Sequence, residues 1–199
     1  MNSEVARASL EPVNRAAVAR RVLAAGLGAL VVALSAQIVV PVPFSPVPMT
    51  LQPLAVLVVG GLLGGAAGLG ALLLYIALGI AGLPVFAAGG SGVARLLGPT
   101  GGYLLAFPVA AWITGIITTP VLASGRLSSA AGVLRLLLAC VIGMVVIHVG
   151  GVAQLALLGG ETSLAFRMGF VPFLTGDLIK VGLAAMLILV AGPKIRPLL

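Results

Sequence analysis

From Leu54 to Leu83 the chain is nearly continuous apolar sequence, punctuated by Gly60-Gly61, Gly64-Gly65, Gly68 and Gly70. A helix that is apolar all round is either buried in a large core or spans a membrane. The rest of the chain decides which. Hydrophobic residues make up 61% of it and charged residues 8%, with a mean hydropathy of +1.28, far outside the soluble norm. The expected fold class is therefore an all-α integral membrane protein, because helices satisfy their own backbone polar groups inside a bilayer. At 199 residues there is room for several spans of about 20 residues each. They form one domain, with no separate soluble module.

The number of spans depends on whether residues 54–83 are one long tilted helix or two shorter ones turning near residues 64–68. Basic residues choose between these, since cytoplasmic loops carry the excess of Lys and Arg. With a turn there are six spans. Arg7, Arg15, Arg20, Arg21, Arg126, Arg135, Lys194 and Arg196 then share one side, and only Arg95 and Arg167 face the other. Without it there are five spans and a weaker split of six against four. The expectation is six transmembrane helices in the cell (inner) membrane, with both termini cytoplasmic. Residues 1–21 form a cytoplasmic tail, 22–192 the membrane domain and 193–199 a second cytoplasmic tail. The basic head before Val22–Ile38 is long, and a multispan protein follows it. It therefore reads as the entry to a first span rather than as a secretory signal peptide.

Taken along the chain, Ala25, Ala29 and Ala33 form a stripe of small residues suited to close approach by another helix. The sharper reading is an external partner helix; packing within the chain is the alternative. Pro41 to Pro48 carries four prolines and reads as a stiff extended linker. Thr50 is expected as an N-cap with Pro53 in the first turn, which puts Gln52 at a helix start. Residues 79–102 are a Gly/Pro-rich loop containing Arg95. Pro99–Tyr103 opens the fourth span, which runs to about Thr118. Arg135 begins the fifth, ending near Leu158, and residues 159–170 are an external loop. Pro172 starts the sixth span, which ends before Pro193.

Several functions are excluded on motif grounds. No Gly-x-Gly-x-x-Gly sits at a strand–helix junction and no Gly-Lys pair occurs, so this chain does not use ATP itself. The basic residues are spread over segment ends, which argues against a nucleic-acid partner. Cys140, alone in an apolar run, reads as core packing. His148 has no second ligand at metal spacing and reads as a hydrogen-bonded core residue, and Gln154 as interhelix glue. No catalytic, cofactor or metal site is expected.

Asp177 and Lys180 are different. Three apart, they share a helix face, and carrying either charge into a bilayer costs about 3 kcal/mol on insertion scales. Such a pair is either a structural ion pair or one wall of a binding site. In the six-span ordering, spans two, four and six all begin outside. Gln52, Arg95 with Tyr103, and Asp177 with Lys180 therefore fall at one depth. Arg95 alone suits an interface anchor, but a guanidinium near exposed helix amides also suits a carboxylate. Summed, Arg95, Lys180 and Asp177 leave one positive charge for an anionic ligand. Asp177 is an acceptor for the N–H groups of a urea or amide, and Tyr75, Phe86 and Tyr103 offer apolar walls. A carrier for a small anion fits best. An intramembrane acid–base enzyme using Asp177, Lys180 and His148 is the other class, and it lacks a second carboxylate beside Asp177.

Four ordered motifs carry a resemblance: Pro43-Phe-Ser-Pro-Val-Pro-Met-Thr-Leu-Gln52, Gly82-Leu-Pro-Val-Phe-Ala87, Leu97-Gly-Pro-Thr-Gly-Gly-Tyr103 and Gly176-Asp-Leu-Ile-Lys180. From about Ala24 to Ala191 the chain resembles the BioY family, the biotin-capturing S components of energy-coupling factor transporters. The resemblance implies six helices holding biotin near the outer face. Arg95, Asp177 and Lys180 would be its polar contacts, joined by Gln52 and Tyr103. It also implies partners: a transmembrane coupling subunit, which docks on the small-residue stripe of helix one, and two ATPase subunits, which alone use ATP.

Overall fold

The structure, a computed structural model, describes residues 15–125 and 129–198. Arg7 and Arg126, assigned above to the cytoplasmic side, lie outside the described residues. The order is α1 (Arg15–Ser35), β1 (Val39–Val40), β2 (Met49–Thr50), α2 (Gln52–Leu63), α3 (Gly65–Ile80), α4 (Val93–Leu97), α5 (Gly101–Ala123), α6 (Ala130–Gly159), α7 (Thr162–Gly169) and α8 (Leu174–Ile195). Short 3-10 turns occupy Ala87–Gly89, Val171–Phe173 and Arg196–Leu198. Val18–Ser35, Gly101–Ala123, Ala130–Gly159 and Thr162–Leu198 are long and apolar enough to cross a membrane, while α2 and α3 are shorter apolar helices.

The apolar run from Leu54 is two helices. The break is at Gly64, whose φ of +89° and ψ of 170° close α2 and open α3. Only glycine adopts that backbone conformation without strain. Beside this hairpin stands α5, packed on α2, α3 and α6. The crossings are made at small residues. A Cβ on Gly60 would strike the Ala111 backbone, and one on Gly102 would strike the Gly150 backbone. Helices in an apolar solvent associate through such close contact, because lipid offers no hydrophobic contrast to drive them together. One core cluster gathers Tyr75, Phe86, Tyr103 and Phe107. A second gathers Leu57, Leu136, Cys140 and Ile188, so Cys140 is packing, as expected.

Five local expectations are corrected. Residues 41–48 are not an extended linker but the loop of a hairpin, pairing Val39 with Thr50 and Val40 with Met49. Proline has no N–H to give a ladder, so pairing stops at two residues a side. Thr50 is one residue early as a cap, since Leu51 holds the N-cap position of α2; its Oγ1 still accepts the Gln52 N–H at 3.3 Å. Residues 159–170 include the helix α7, whose Met168 carbonyl accepts from Ser45 Oγ at 2.9 Å. The helix expected to begin at Arg135 starts at Ala130, where Ser129 caps it by accepting the Gly132 N–H at 3.1 Å. The last helix runs through Pro193 to Ile195 rather than stopping before it.

The largest correction concerns α1. Ala29 is buried, and Ala25 and Ala33 pack half-buried against the core that includes Val59, Ala71 and Leu72. The small-residue stripe therefore faces this chain's own α2 and α3. Small residues permit close approach by any apolar helix, and the hairpin beside α1 is the one that takes it. What α1 presents outward is Val22, Leu23, Leu27, Leu30 and Leu34.

Candidate functional site

The first turn of α8 supplies the charged half of the site. Asp177 lies in it, where a carboxylate is favoured by the helix dipole, and Lys180 stands one turn on. Both are buried, at 6% and 5% exposure, so each needs a partner. Lys180 Nζ donates to Asp177 Oδ1 at 2.8 Å. The other carboxylate oxygen, Oδ2, lies 2.6 Å from His148 Nε2 on α6. His148 Nδ1 is 3.3 Å from the Gly169 carbonyl, which also accepts from Tyr103 Oη at 2.6 Å. The imidazole is walled by the Tyr103 and Phe170 rings, edge to face at 6.1 and 4.9 Å between centroids.

The neutral half comes from α2 and α3. Gln52, buried at 3%, donates through Nε2 to Tyr75 Oη at 2.7 Å. Tyr75 Oη in turn donates a hydrogen bond to the Val85 carbonyl at 3.1 Å. Thr50 Oγ1 donates to Gln52 Oε1 at 3.2 Å, so the amide is fixed in one orientation. Phe86 meets the Tyr75 ring edge to face at 5.5 Å.

These halves face one cavity. Gln52, Tyr103, His148, Asp177 and Lys180 line it, together with Val47 and Pro48 from the hairpin loop and Ala87 and Thr100 from the α3–α5 connection. Its volume is about 50 Å³. Of the residues predicted from sequence, Gln52, Tyr103, Asp177 and Lys180 thus come together. Tyr75 stands behind Gln52, and Phe86 behind Tyr75. Arg95 does not join them. The segment 79–102 is not a plain loop but contains a 3-10 turn and α4, and Arg95 is exposed on α4, away from the cavity lining.

His148 is the residue that the sequence reading undervalued. It is buried and hydrogen-bonded, as expected of a core histidine, but its partner is the site carboxylate. A signal was present: it is the chain's single histidine, set within an apolar span, where an ionisable residue marks function by default. Gln154 behaves as expected of glue, donating to the Leu96 and Gly98 carbonyls at 2.8 and 2.7 Å.

Chemically the cavity recognises rather than reacts. Each Asp177 oxygen accepts one hydrogen bond and has capacity for another, and Lys180 uses one of its three N–H groups on Asp177. A ligand offering both N–H donors and oxygen acceptors matches this set. Among the described residues no group of three His, Cys, Asp or Glu side chains comes together to hold a metal.

A family model described as the BioY family matches residues 5–196. A probable biotin transporter BioY of Pyrococcus horikoshii is 38% identical over 146 residues, covering 73% of this chain and 81% of its own length. The biotin transporter BioY of Thermotoga maritima is 36% identical over 176 residues, covering 85% and 94%. Among solved structures, the S-component for biotin from an ECF-type ABC transporter matches with a TM-score of 0.76. That likeness covers 94% of this chain and 95% of the other at 23% identity, and it speaks for the fold.

Proposed function

Because this chain belongs to the BioY family, we propose that it captures biotin and mediates its uptake across the membrane as the S component of an energy-coupling factor transporter. The observation that carries this reading is the buried Asp177–Lys180 pair opening on the same cavity as the fixed Gln52 amide. Biotin has a ureido ring with two N–H donors and one carbonyl acceptor, and an acid tail. Asp177 accepts from a ureido N–H, and the remaining Lys180 N–H groups serve its carbonyl. Tyr103 supplies a wall, with Tyr75 and Phe86 supporting it from behind. Arg95 pairs with the acid tail only if the segment carrying it moves.

Movement is required in any case. Small-molecule sites measure about 300–1,000 Å³, against about 50 Å³ here. The hairpin loop 41–48 and the connection 82–102 are the lids of this reading, since Val47, Pro48, Ala87 and Thr100 line the cavity together with the polar groups. Such closure excludes water from a bound ligand.

The topology proposed is six spans in the cell membrane with both termini cytoplasmic, the membrane domain covering residues 22–192 between tails 1–21 and 193–199. The break at Gly64 supports it, as does the gathering of Arg20, Arg21, Lys194 and Arg196 at one end. Partners complete the transporter: a transmembrane coupling subunit and two ATPases, which hydrolyse the ATP. The coupling subunit docks on the apolar groove of about 480 Å³ that Leu23, Ala24, Leu27, Val58 and Leu62 line, not on the buried alanine stripe.

Equilibrium binding of radiolabelled biotin to the purified protein tests the ligand. Saturable binding is expected, weakened about tenfold or more in Asp177→Asn and in Lys180→Ala, the usual cost of a hydrogen bond to a charged group. Wild-type affinity in both variants would sink the site, and no binding by the wild type would sink the ligand.

A further inference from the structure

His148 is the one buried ionisable group at the cavity for which the proposed function has no use. Its ring sits between two acceptors. Nε2 faces Asp177 Oδ2 at 2.6 Å and Nδ1 faces the Gly169 carbonyl at 3.3 Å. A neutral imidazole carries one N–H, so one of its nitrogens would present a lone pair to an oxygen; only the doubly protonated ring donates to both. The surroundings are otherwise apolar or aromatic, with Tyr103, Phe170 and Phe173 around the ring. The titratable and charged groups facing it are Tyr103 from α5 and Asp177, with Lys180 beyond, from α8. The α7 end contributes the Gly169 carbonyl.

We propose that His148 is a positioning residue of the biotin site, binding ligand best as an imidazolium that fixes the Asp177 carboxylate and supplies the site's net positive charge. This rests on the biotin reading and deepens it. The charges at the cavity are then Lys180 and His148 against Asp177, one positive charge in excess. That excess was expected from Arg95, which lies outside the cavity. Biotin is a monoanion at neutral pH, so the sum matches the ligand without any contribution from α4. Lys180 and His148 each occupy one Asp177 oxygen from a fixed direction, which leaves acceptor capacity on a carboxylate that lines the cavity. Losing the His148 proton removes the excess charge and puts a lone pair against an oxygen, so affinity falls as pH rises.

The test is the dissociation constant of radiolabelled biotin on the purified full-length protein measured from about pH 5.5 to about pH 8.5. The wild type is expected to bind more weakly toward the alkaline end. His148→Gln keeps a donor toward Asp177 but cannot titrate, and is expected to bind with an affinity independent of pH. His148→Phe keeps the ring among its aromatic neighbours and strands Asp177 Oδ2. It is expected to bind about tenfold to hundredfold more weakly at the acid end. A His148→Phe protein with wild-type affinity overturns the proposal, and so does a His148→Gln protein with the wild-type pH profile. If His148→Phe fails to elute as a folded species, the His148→Gln profile decides alone. Absence of biotin binding by the wild type overturns the functional reading and this inference with it. Wild-type binding with unchanged variants overturns only the role of His148.

Discussion

Gln52 has every polar atom of its amide accounted for on one side, and this makes Tyr75 the residue to change. The Tyr75 hydroxyl both accepts from Gln52 Nε2 and donates to the Val85 carbonyl, and the ring is fully buried. Tyr75→Phe keeps the edge-to-face contact with Phe86 but leaves the buried Gln52 amide N–H and the half-buried Val85 carbonyl without this partner. Each such loss costs about 1–3 kcal/mol. The variant is expected to melt at a lower temperature and to bind biotin several-fold more weakly, because Gln52 is then free to turn. A melting curve taken with and without biotin checks both; unchanged melting would show that the Thr50–Gln52–Tyr75 chain is dispensable. Single residues were readable from sequence where they broke an apolar pattern at a helix end. Gln52 after the prolines, and the Asp177–Lys180 pair at helical spacing, both stand out that way. His148 did not stand out as a site residue, because its partner is 29 positions away and only the packing of α6 on α8 brings them together. Arg95 is the opposite case. Its charge and its place before a helix start were legible, but the local fold of α4 that turns it outward was not.

At the level of elements, the α2–α3 hairpin is the least negotiable feature. Gly64 combines φ +89° with ψ 170°, a region that costs a residue with a side chain about 1–3 kcal/mol. A Cβ there would also lie 3.0 Å from the Arg196 guanidinium. Gly64→Ala is therefore expected to destabilise the protein by about 1–3 kcal/mol. Gly26→Ala, inside α1 with open space around the new carbon, is expected to be neutral or stabilising by up to about 1 kcal/mol. Unfolding of the two purified variants under one detergent condition compares them directly, and equal stability would remove the case for a strained turn. This break was legible because charge balance chose it over a single long helix. The short elements were not. The strand pairs Val39–Thr50 and Val40–Met49 flank the proline run, and two residues a side carry no readable alternation. Helix α7, Thr162–Gly169, is eight residues long, too brief for periodicity to separate it from a loop. The hairpin loop and α7 are joined by Ser45 and Met168, a contact that no local pattern announces.

For the molecule as a whole, α1 has two faces in different surroundings, and in the proposed reading the outer one serves transport rather than binding. Its inner face is core: Ala29 is 3% exposed, and a Cβ on the neighbouring Gly28 would press on the Val59 and Ala71 side chains at 3.0 and 3.1 Å. Its outer face carries Leu23 and Leu27 into the groove shared with Val58 and Leu62 of α2 and with Ile195 at the end of α8. Exposed apolar surface is unremarkable in lipid, so the groove matters for its shape and not for its hydrophobicity. Lipid-phase helices associate by filling such shapes closely. Ala24 lines the groove and is half-buried, so Ala24→Trp fills it from outside without entering the core. That variant is expected to bind biotin like the wild type while accumulation of labelled biotin falls by about tenfold or more in cells that also make the partner subunits, a loss of the size seen when a central interface residue is disrupted. Ala29→Trp forces an indole between α1 and the α2–α3 hairpin, overpacking that costs about 1–3 kcal/mol or more, and is expected to lose binding and uptake together. The pair discriminates because both carry the same side chain one helical turn and one residue apart. If Ala24→Trp transports normally, the coupling subunit docks elsewhere. If Ala29→Trp binds normally but fails to transport, the alanine stripe is the docking face after all, and the inward packing of α1 yields to the partner.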